Sequence, residues 1–207
     1  MTRTAHIAVG KMALEHTSLK TDLEVYRRIY LFGCIAPDIN FIYPLHNIQC
    51  TPKRFMRRIE RMKKIKSKVI RSFTLGVIMH YICDYFTLAH NNSSYGPKHT
   101  IYERLMSHKV KTEEITFDSD MKTIEDFWNQ AVSQYESGES CEFDKLVETH
   151  SLQSSDIFEL VKNMNRQYLK YVRDKANENW CTDKTQMRTD LGWSLFMCER
   201  VGELVVA

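Results

Sequence analysis

The stretch SFTLGVIMHYICDYFTLA, residues 72–89, is the most apolar part of the chain, yet it carries His80 and Asp84 near its centre. At 18 residues it approaches the length of a membrane-spanning helix, which needs about 20 apolar residues. A basic segment precedes it and a polar loop follows it, and an ionised carboxylate in an apolar setting is costly without a partner. We therefore predict a helix buried inside a water-soluble protein, with a partner for Asp84.

Helical periodicity dominates the rest of the sequence. Glycine and proline are scarce, with 7 and 4 among 207 residues, which disfavours strands and tight turns. No hairpin signal is found, so we predict an all-α fold, a many-helix bundle formed by residues 1–207 as one domain, with its site between facing helices. The stretch 33–52, with three prolines, is predicted to be mostly loop, and NNSSYGP at 91–97 is a second break. Helices are predicted from about Thr4, and at 19–32, 53–90 (one helix or two), 98–110, 119–137, 141–149, 154–178 and 186–204.

Two histidine–carboxylate pairs lie close together in residues 80–103. His80 and Asp84 are four residues apart, as are His99 and Glu103, and His90 lies between the pairs. Residues at i and i+4 share one face of a helix, and imidazole nitrogen and carboxylate oxygen are ligands that Zn²⁺ accepts. One such pair is usually an ion pair or a hydrogen bond. Two pairs with a histidine between them favour a metal site.

Three further candidates lie upstream. His6 belongs to the first predicted helical turn, and Asp38 and His46 belong to the segment CIAPDINFIYPLHN. Each has an ordinary interpretation, since Asp38 after Pro37 suits a turn or a helix N-cap and His46 suits a loop. On the residues alone, both these ordinary roles and a role as metal ligands stay open.

The order of these residues resembles that of the zinc-dependent phospholipase C family, whose fold is shared by zinc nucleases specific for single strands. The spacings His80-x3-Asp84-x5-His90 and His99-x3-Glu103 agree with the family, and APD at Asp38, then His46, agree in order and type. The resemblance implies an all-helical catalytic domain with clustered zinc ions. It implies that one zinc is held by Asp38, His46, His80 and Asp84, a second by His90, His99 and Glu103, and a third by His6 and Asp84.

The family resemblance has one departure, at the N-terminus. In the secreted family enzymes, the amino group and carbonyl of an N-terminal tryptophan complete the third zinc site. This sequence begins MTRTAH, with five residues before His6 and no tryptophan among them. We therefore expect two or three zinc ions.

The resemblance implies a zinc-dependent hydrolase that cleaves a phospholipid head group with a zinc-activated water. Asp38 is the predicted catalytic residue, orienting or deprotonating that water. Two alternatives are a nuclease-like phosphodiesterase and a non-catalytic zinc-binding protein with the same fold. The sequence contains no GxSxG, no P-loop and no adjacent His-Asp pair, which disfavours serine hydrolases, P-loop enzymes and HD phosphohydrolases.

The basic segment KRFMRRIERMKKIKSKVIR, residues 53–71, is a candidate for peripheral membrane contact. A nucleic-acid backbone is the second candidate partner, and a solvated helix face is the ordinary interpretation. The first residues have only a brief apolar patch, and the six cysteines form no CxxC motif. We therefore expect a cytoplasmic protein with reduced thiols. Cys83 and the three tryptophans are expected to lie in the core.

Overall fold

The computed structural model describes residues 1–16, 24–39, 47–91, 97–112, 120–135, 152–175 and 180–206. These residues contain a short 3-10 helix at Glu24–Tyr26, nine α-helices and no strand, which confirms the predicted all-α fold. The helices are α1 (Arg3–His16), α2 (Arg27–Ile39), α3 (Pro52–Lys64), α4 (Lys68–Tyr85), α5 (Leu88–Asn91), α6 (Pro97–Thr112), α7 (Asp120–Tyr135), α8 (Ser154–Lys175) and α9 (Lys184–Val206).

Helix α4 is the central element of the described chain. Every residue from Thr74 to Tyr85 is buried, because α1, α2, α3 and α9 pack around it. A helix that is apolar on all sides is typical of such a position. The prediction that residues 72–89 are buried is confirmed except at Phe73, which is partly buried. None of the described helices is both long and apolar enough to cross a membrane.

The basic segment forms two helices separated by residues 65–67. Helix α3 begins at Pro52, as expected for proline in a first turn, and it ends in Arg61, Lys63 and Lys64, whose charges favour a helix C-terminus. Its buried side is Phe55, Ile59 and Met62, at helical spacing. The three tryptophans, Trp128, Trp180 and Trp193, are buried in the hydrophobic core, as expected.

The boundary predicted after residue 32 is wrong. Helix α2 continues to Ile39 and includes Pro37, although residues 33–52 were expected to be mostly loop. Proline lacks an N–H and disrupts helices when it is central, but here it lies in the last turn, where little of the helix follows it. Packing against α4 outweighs the local signal. The predicted helix at 141–149 lies outside the described residues, as does part of the one at 19–32.

Helices α2 and α4 touch through two glycines. A Cβ atom added at Gly76 would lie 2.1 Å from the Tyr30 carbonyl oxygen, and one added at Gly33 would lie 2.3 Å from the Phe73 carbonyl oxygen. Neither distance is compatible with a side chain, and the obstructing atoms are backbone rather than flexible side chain. The two helices therefore approach more closely than any other residue type allows.

We predict that Gly76→Ala lowers the free energy of unfolding by about 3 kcal/mol or more, because α2 and α4 must separate to admit the methyl group. The matched control is Gly192→Ala in α9, where an added Cβ has no atom within 4 Å. Alanine favours a helix over glycine by about 1 kcal/mol, so the control is expected to be neutral or more stable than the wild type. Urea unfolding of the three proteins measures both effects. Equal stability of Gly76→Ala and the wild type would contradict the close approach.

Candidate metal centre

Seven of the eight predicted metal ligands lie in the described residues, and the fold brings all seven together. They come from five helices: His6 from α1, Asp38 from the end of α2, His80 and Asp84 from α4, His90 from α5, and His99 and Glu103 from α6. His46 lies outside the described residues.

The carboxylate of Asp84 lies at the centre of the cluster and is fully buried. Its Oδ2 is 3.1 Å from His80 Nε2, and its Oδ1 is 3.3 Å from His6 Nε2 and 3.4 Å from His90 Nε2. Burial alone would raise the pKa of Asp84, but its electrostatic interactions with His90, the N-terminal amine and the other two histidines hold it well below the usual range. Asp84 is therefore an anionic centre shared by the side chains around it.

The first group of donors consists of His6, Asp38 and His80, whose ligand atoms all lie within 4.8 Å of one another. The imidazole rings of His6 and His80 are stacked with their centroids 4.0 Å apart. Asp38 Oδ1 is 3.7 Å from His80 Nε2, and Asp38 Oδ2 is 3.9 Å from His6 Nε2. The two histidines are buried, whereas the Asp38 side chain is 22% exposed. Solvent therefore reaches this group at Asp38.

The second group consists of His90, His99 and Glu103, whose ligand atoms also lie within 4.8 Å of one another. Glu103 Oε1 is 3.3 Å from His99 Nε2 and 3.6 Å from His90 Nε2. Burial would raise the pKa of Glu103, but hydrogen bonds from the two imidazoles lower it well below its usual range. All three side chains are partly exposed, so this group also opens to solvent.

Backbone carbonyl groups orient two of the histidines. His80 Nδ1 donates to the Cys34 carbonyl oxygen at 2.8 Å, and His99 Nδ1 donates to the Ala89 carbonyl oxygen at 3.3 Å. Because a carbonyl only accepts, each Nδ1 carries the proton in these bonds, which leaves Nε2 as the nitrogen that would bind a metal once the ring is neutral. This is the usual arrangement around metal-binding histidines, in which the second nitrogen donates to a carbonyl or carboxylate.

His6 provides a further test of whether a cation fits. Its ring is buried, and among the described residues neither ring nitrogen makes a hydrogen bond of acceptable geometry. Burial, followed by charge on His80, lowers the pKa of His6 to about 3, so the ring is neutral. A buried neutral imidazole with an available lone pair is a suitable zinc ligand, and a bound cation would compensate for the missing hydrogen bonds.

The amino group of Met1 also contacts the cluster, at the place where the family resemblance implies an N-terminal amine, although the missing tryptophan gave no reason to assign that role to Met1. This nitrogen donates to Asp84 Oδ1 at 2.8 Å, contacts His90 Nε2, and lies 3.5 Å from Glu103 Oε1. A backbone amine has no side-chain signature, and its position becomes evident only when α1 is placed beside α4 and α6. Cys83, in contrast, is buried away from the cluster as predicted, with its Sγ 3.7 Å from Cys198 Sγ.

The lowered pKa of His6 predicts that the metal-free protein loses stability as the pH falls from about 7 to 5. In this range the unfolded chain protonates His6, whose ordinary pKa is 6.5, while the folded protein does not. The free energy of unfolding therefore rises with pH, by at most about 1.4 kcal/mol per pH unit from this residue. His90 acts in the same direction, whereas His99 and the buried Asp190 of α9 oppose it because their pKa values are raised.

Urea unfolding of chelator-treated protein across this pH range measures the effect. The slope is expected to be smaller in His6→Gln than in the wild type, and unchanged in the control His108→Gln, whose side chain is exposed. If the free energy of unfolding of His6→Gln changed with pH as steeply as that of the wild type, the effect could not be assigned to His6.

Comparison with protein-family models gives a match. The family model described as zinc dependent phospholipase C matches residues 5–175, a segment that contains all eight candidate ligands. Searches of curated proteins and of solved structures give no match. The family match covers well over half of the 207 residues, and it agrees with the all-helical fold and with the clustered histidines and carboxylates. The chain belongs to the zinc-dependent phospholipase C family.

Proposed function

We propose that this protein is a zinc-dependent phosphodiester hydrolase that cleaves the head group from a phospholipid. The observation that carries the proposal is the convergence of two groups of nitrogen and oxygen donors around one buried carboxylate, Asp84. Bound zinc would lower the pKa of a water molecule toward about 7 and stabilise negative charge on the phosphoryl oxygens.

The proposed ligands are assigned to three ions. Asp38, His80 and Asp84, together with His46, hold one ion, and His90, His99 and Glu103 hold a second. His6 and Asp84 are the ligands proposed for a third. The distances support close neighbours rather than separate sites, since His6 stacks on His80 and Asp84 lies within 3.4 Å of histidines from both groups.

Asp38 is the proposed catalytic base. It is the member of the first group that solvent reaches, while His6, His80 and Asp84 are buried. One of its carboxylate oxygens orients the attacking water and accepts its proton. The buried imidazoles of His80 and His6 lie 3.7 and 3.9 Å from its carboxylate oxygens, and the exposed part of the side chain is where water and substrate would approach.

The exposure of the cluster favours catalysis over a purely structural role. Structural zinc sites are closed by protein ligands, whereas catalytic sites keep positions open. Here the exposed fractions are 22% for Asp38, 29% for Glu103 and 18% for His99, so both groups have a side that a phosphodiester can approach. The alternative is a non-catalytic zinc protein, and activity measurements distinguish it from a hydrolase.

The proposed substrate is presented by a membrane, which the basic segment contacts peripherally. On α3 the exposed cations are Lys53, Arg54, Arg57, Arg61, Lys63 and Lys64. Val69 and Ile70, at the start of α4, are 44% and 52% exposed, so apolar side chains lie beside the charges. Anionic head groups attract such clusters, and a nucleic-acid backbone is the second candidate for the same charges.

We expect elemental analysis of the purified protein to give two or three zinc ions per chain. Asp84→Asn is expected to lose metal from both groups because Asp84 contacts both, and His99→Ala is expected to lose metal from the second group. The matched controls are Asp126→Asn and His108→Ala, at exposed positions, which retain the wild-type content. A wild-type protein that is free of metal when purified without chelator would end the proposal.

We expect the zinc-loaded protein to release a phosphorylated head group and diacylglycerol from a choline phospholipid. Asp38→Asn is expected to reduce kcat by about 10²- to 10⁴-fold, the usual range for loss of a general base. Single-stranded DNA is assayed in parallel, with His108→Ala as the control variant. Cleavage of DNA alone would favour the nuclease-like alternative, and zinc binding without cleavage of either would favour the non-catalytic one.

A further inference from the structure

A second fully buried carboxylate, Asp190, lies in α9, outside the segment matched by the family. It accepts four hydrogen bonds: from the Leu88 backbone N–H at 2.8 Å, from Tyr168 Oη at 2.7 Å, from Gln186 Nε2 at 2.5 Å, and from Tyr102 Oη. All four donors are neutral. Burial raises the pKa of Asp190 to about 6 even though these donors lower it. Burying a carboxylate costs free energy. Hydrogen bonds are strong in the low-dielectric interior, so those to Asp190 fix the positions of its four donors.

The two oxygens of Asp190 contact different parts of the fold. Oδ1 accepts from Tyr168 of α8 and from Gln186 of α9 itself. Oδ2 accepts from the backbone of Leu88 and from the hydroxyl of Tyr102. Leu88 is the first residue of α5, and Tyr102 lies in the middle of α6. Oδ2 therefore connects the two helices that carry the second donor group.

Both contacts of Oδ2 lie next to candidate ligands. Leu88 is two residues before His90, and Tyr102 immediately precedes Glu103. The residue after Leu88 is Ala89, whose carbonyl oxygen accepts the hydrogen bond from His99 Nδ1. A short path of bonds thus runs from Asp190 through the Leu88–Ala89 backbone to the His99 ring.

We propose that Asp190 is a positioning residue for the metal group formed by His90, His99 and Glu103. Its Oδ2 sets the position of α5 relative to α6, and thereby the distances among the three ligands. The inference rests on the proposed function only in that this group binds zinc. Asp190 touches neither metal nor substrate.

The test compares three variants. Asp190→Asn removes the charge in a side chain of the same shape, Tyr102→Phe removes the donor on the α6 side, and Tyr168→Phe removes a donor to the other oxygen. Zinc affinity is measured by competition with a chromogenic chelator, and thermal unfolding of each metal-free protein is recorded alongside.

We expect Asp190→Asn to weaken zinc binding at the second group by about 10- to 100-fold, the usual effect of losing a residue that supports a metal ligand. Tyr102→Phe is expected to weaken it to a smaller extent, and Tyr168→Phe to leave it within twofold of the wild type. Both tyrosine variants lose one buried hydrogen bond, so their melting temperatures are expected to fall by similar amounts. A merely structural role would lower melting temperatures without separating the two tyrosine variants in zinc affinity, and that result overturns the proposal.

A readout that needs no metal separates this inference from the proposed function. Nitrogen-15 NMR of labelled histidines in metal-free protein at about pH 8 is expected to show shifted His90 and His99 ring signals in Asp190→Asn and Tyr102→Phe, with His80 unchanged. Unchanged His90 and His99 signals in both variants overturn the positioning role. If Asp190→Asn fails to fold, the comparison of Tyr102→Phe with Tyr168→Phe decides. Absence of phosphodiester cleavage, with these effects intact, counts against the hydrolase proposal alone.

Discussion

The contact between Gly33 and Gly76 determines how close α2 lies to α4, and the geometry of the donor cluster depends on that distance. With no side chain at either position, the backbone of α2 rests on α4. The Cys34 carbonyl then reaches His80 Nδ1 at 2.8 Å, and the Asp38 carboxylate lies beside the opposite nitrogen of the same ring. A separation of even one ångström would break the hydrogen bond that orients His80. Helix packing, as much as the choice of ligand side chains, therefore builds this site.

Asp84 connects the two donor groups through electrostatic interactions as well as through direct contacts. Its charge is screened little because it is fully buried, so its interactions with the surrounding imidazoles are stronger than they would be in water. Those imidazoles come from α1, α4 and α5. A change at any one of them therefore alters the field at the others, and the two groups act as one electrostatic unit.

Local patterns predicted the parts of the site whose partners are close in sequence. The pairs His80/Asp84 and His99/Glu103 needed only the helical repeat, and both pairs are in contact. The carbonyls of Cys34 and Ala89 were not predicted, because a backbone acceptor has no side-chain signature. The extension of α2 through Pro37 was missed because tertiary packing outweighed a local helix breaker. Asp190 shares with Asp84 the signature of an acid beside an apolar run, but its donors at 88, 102, 168 and 186 follow no local pattern.

The position of α9 bears on where the folding unit ends. The family match stops at residue 175, but α9 packs against α1, α4, α7 and α8, and most of its residues are buried. A fragment cut at residue 175 would expose the apolar faces of these helices to water and leave the Leu88 amide and two buried tyrosine hydroxyls without their acceptor. We infer that the cooperative unit of folding is larger than the segment defined by family similarity, and that a boundary drawn from that similarity passes through the hydrophobic core.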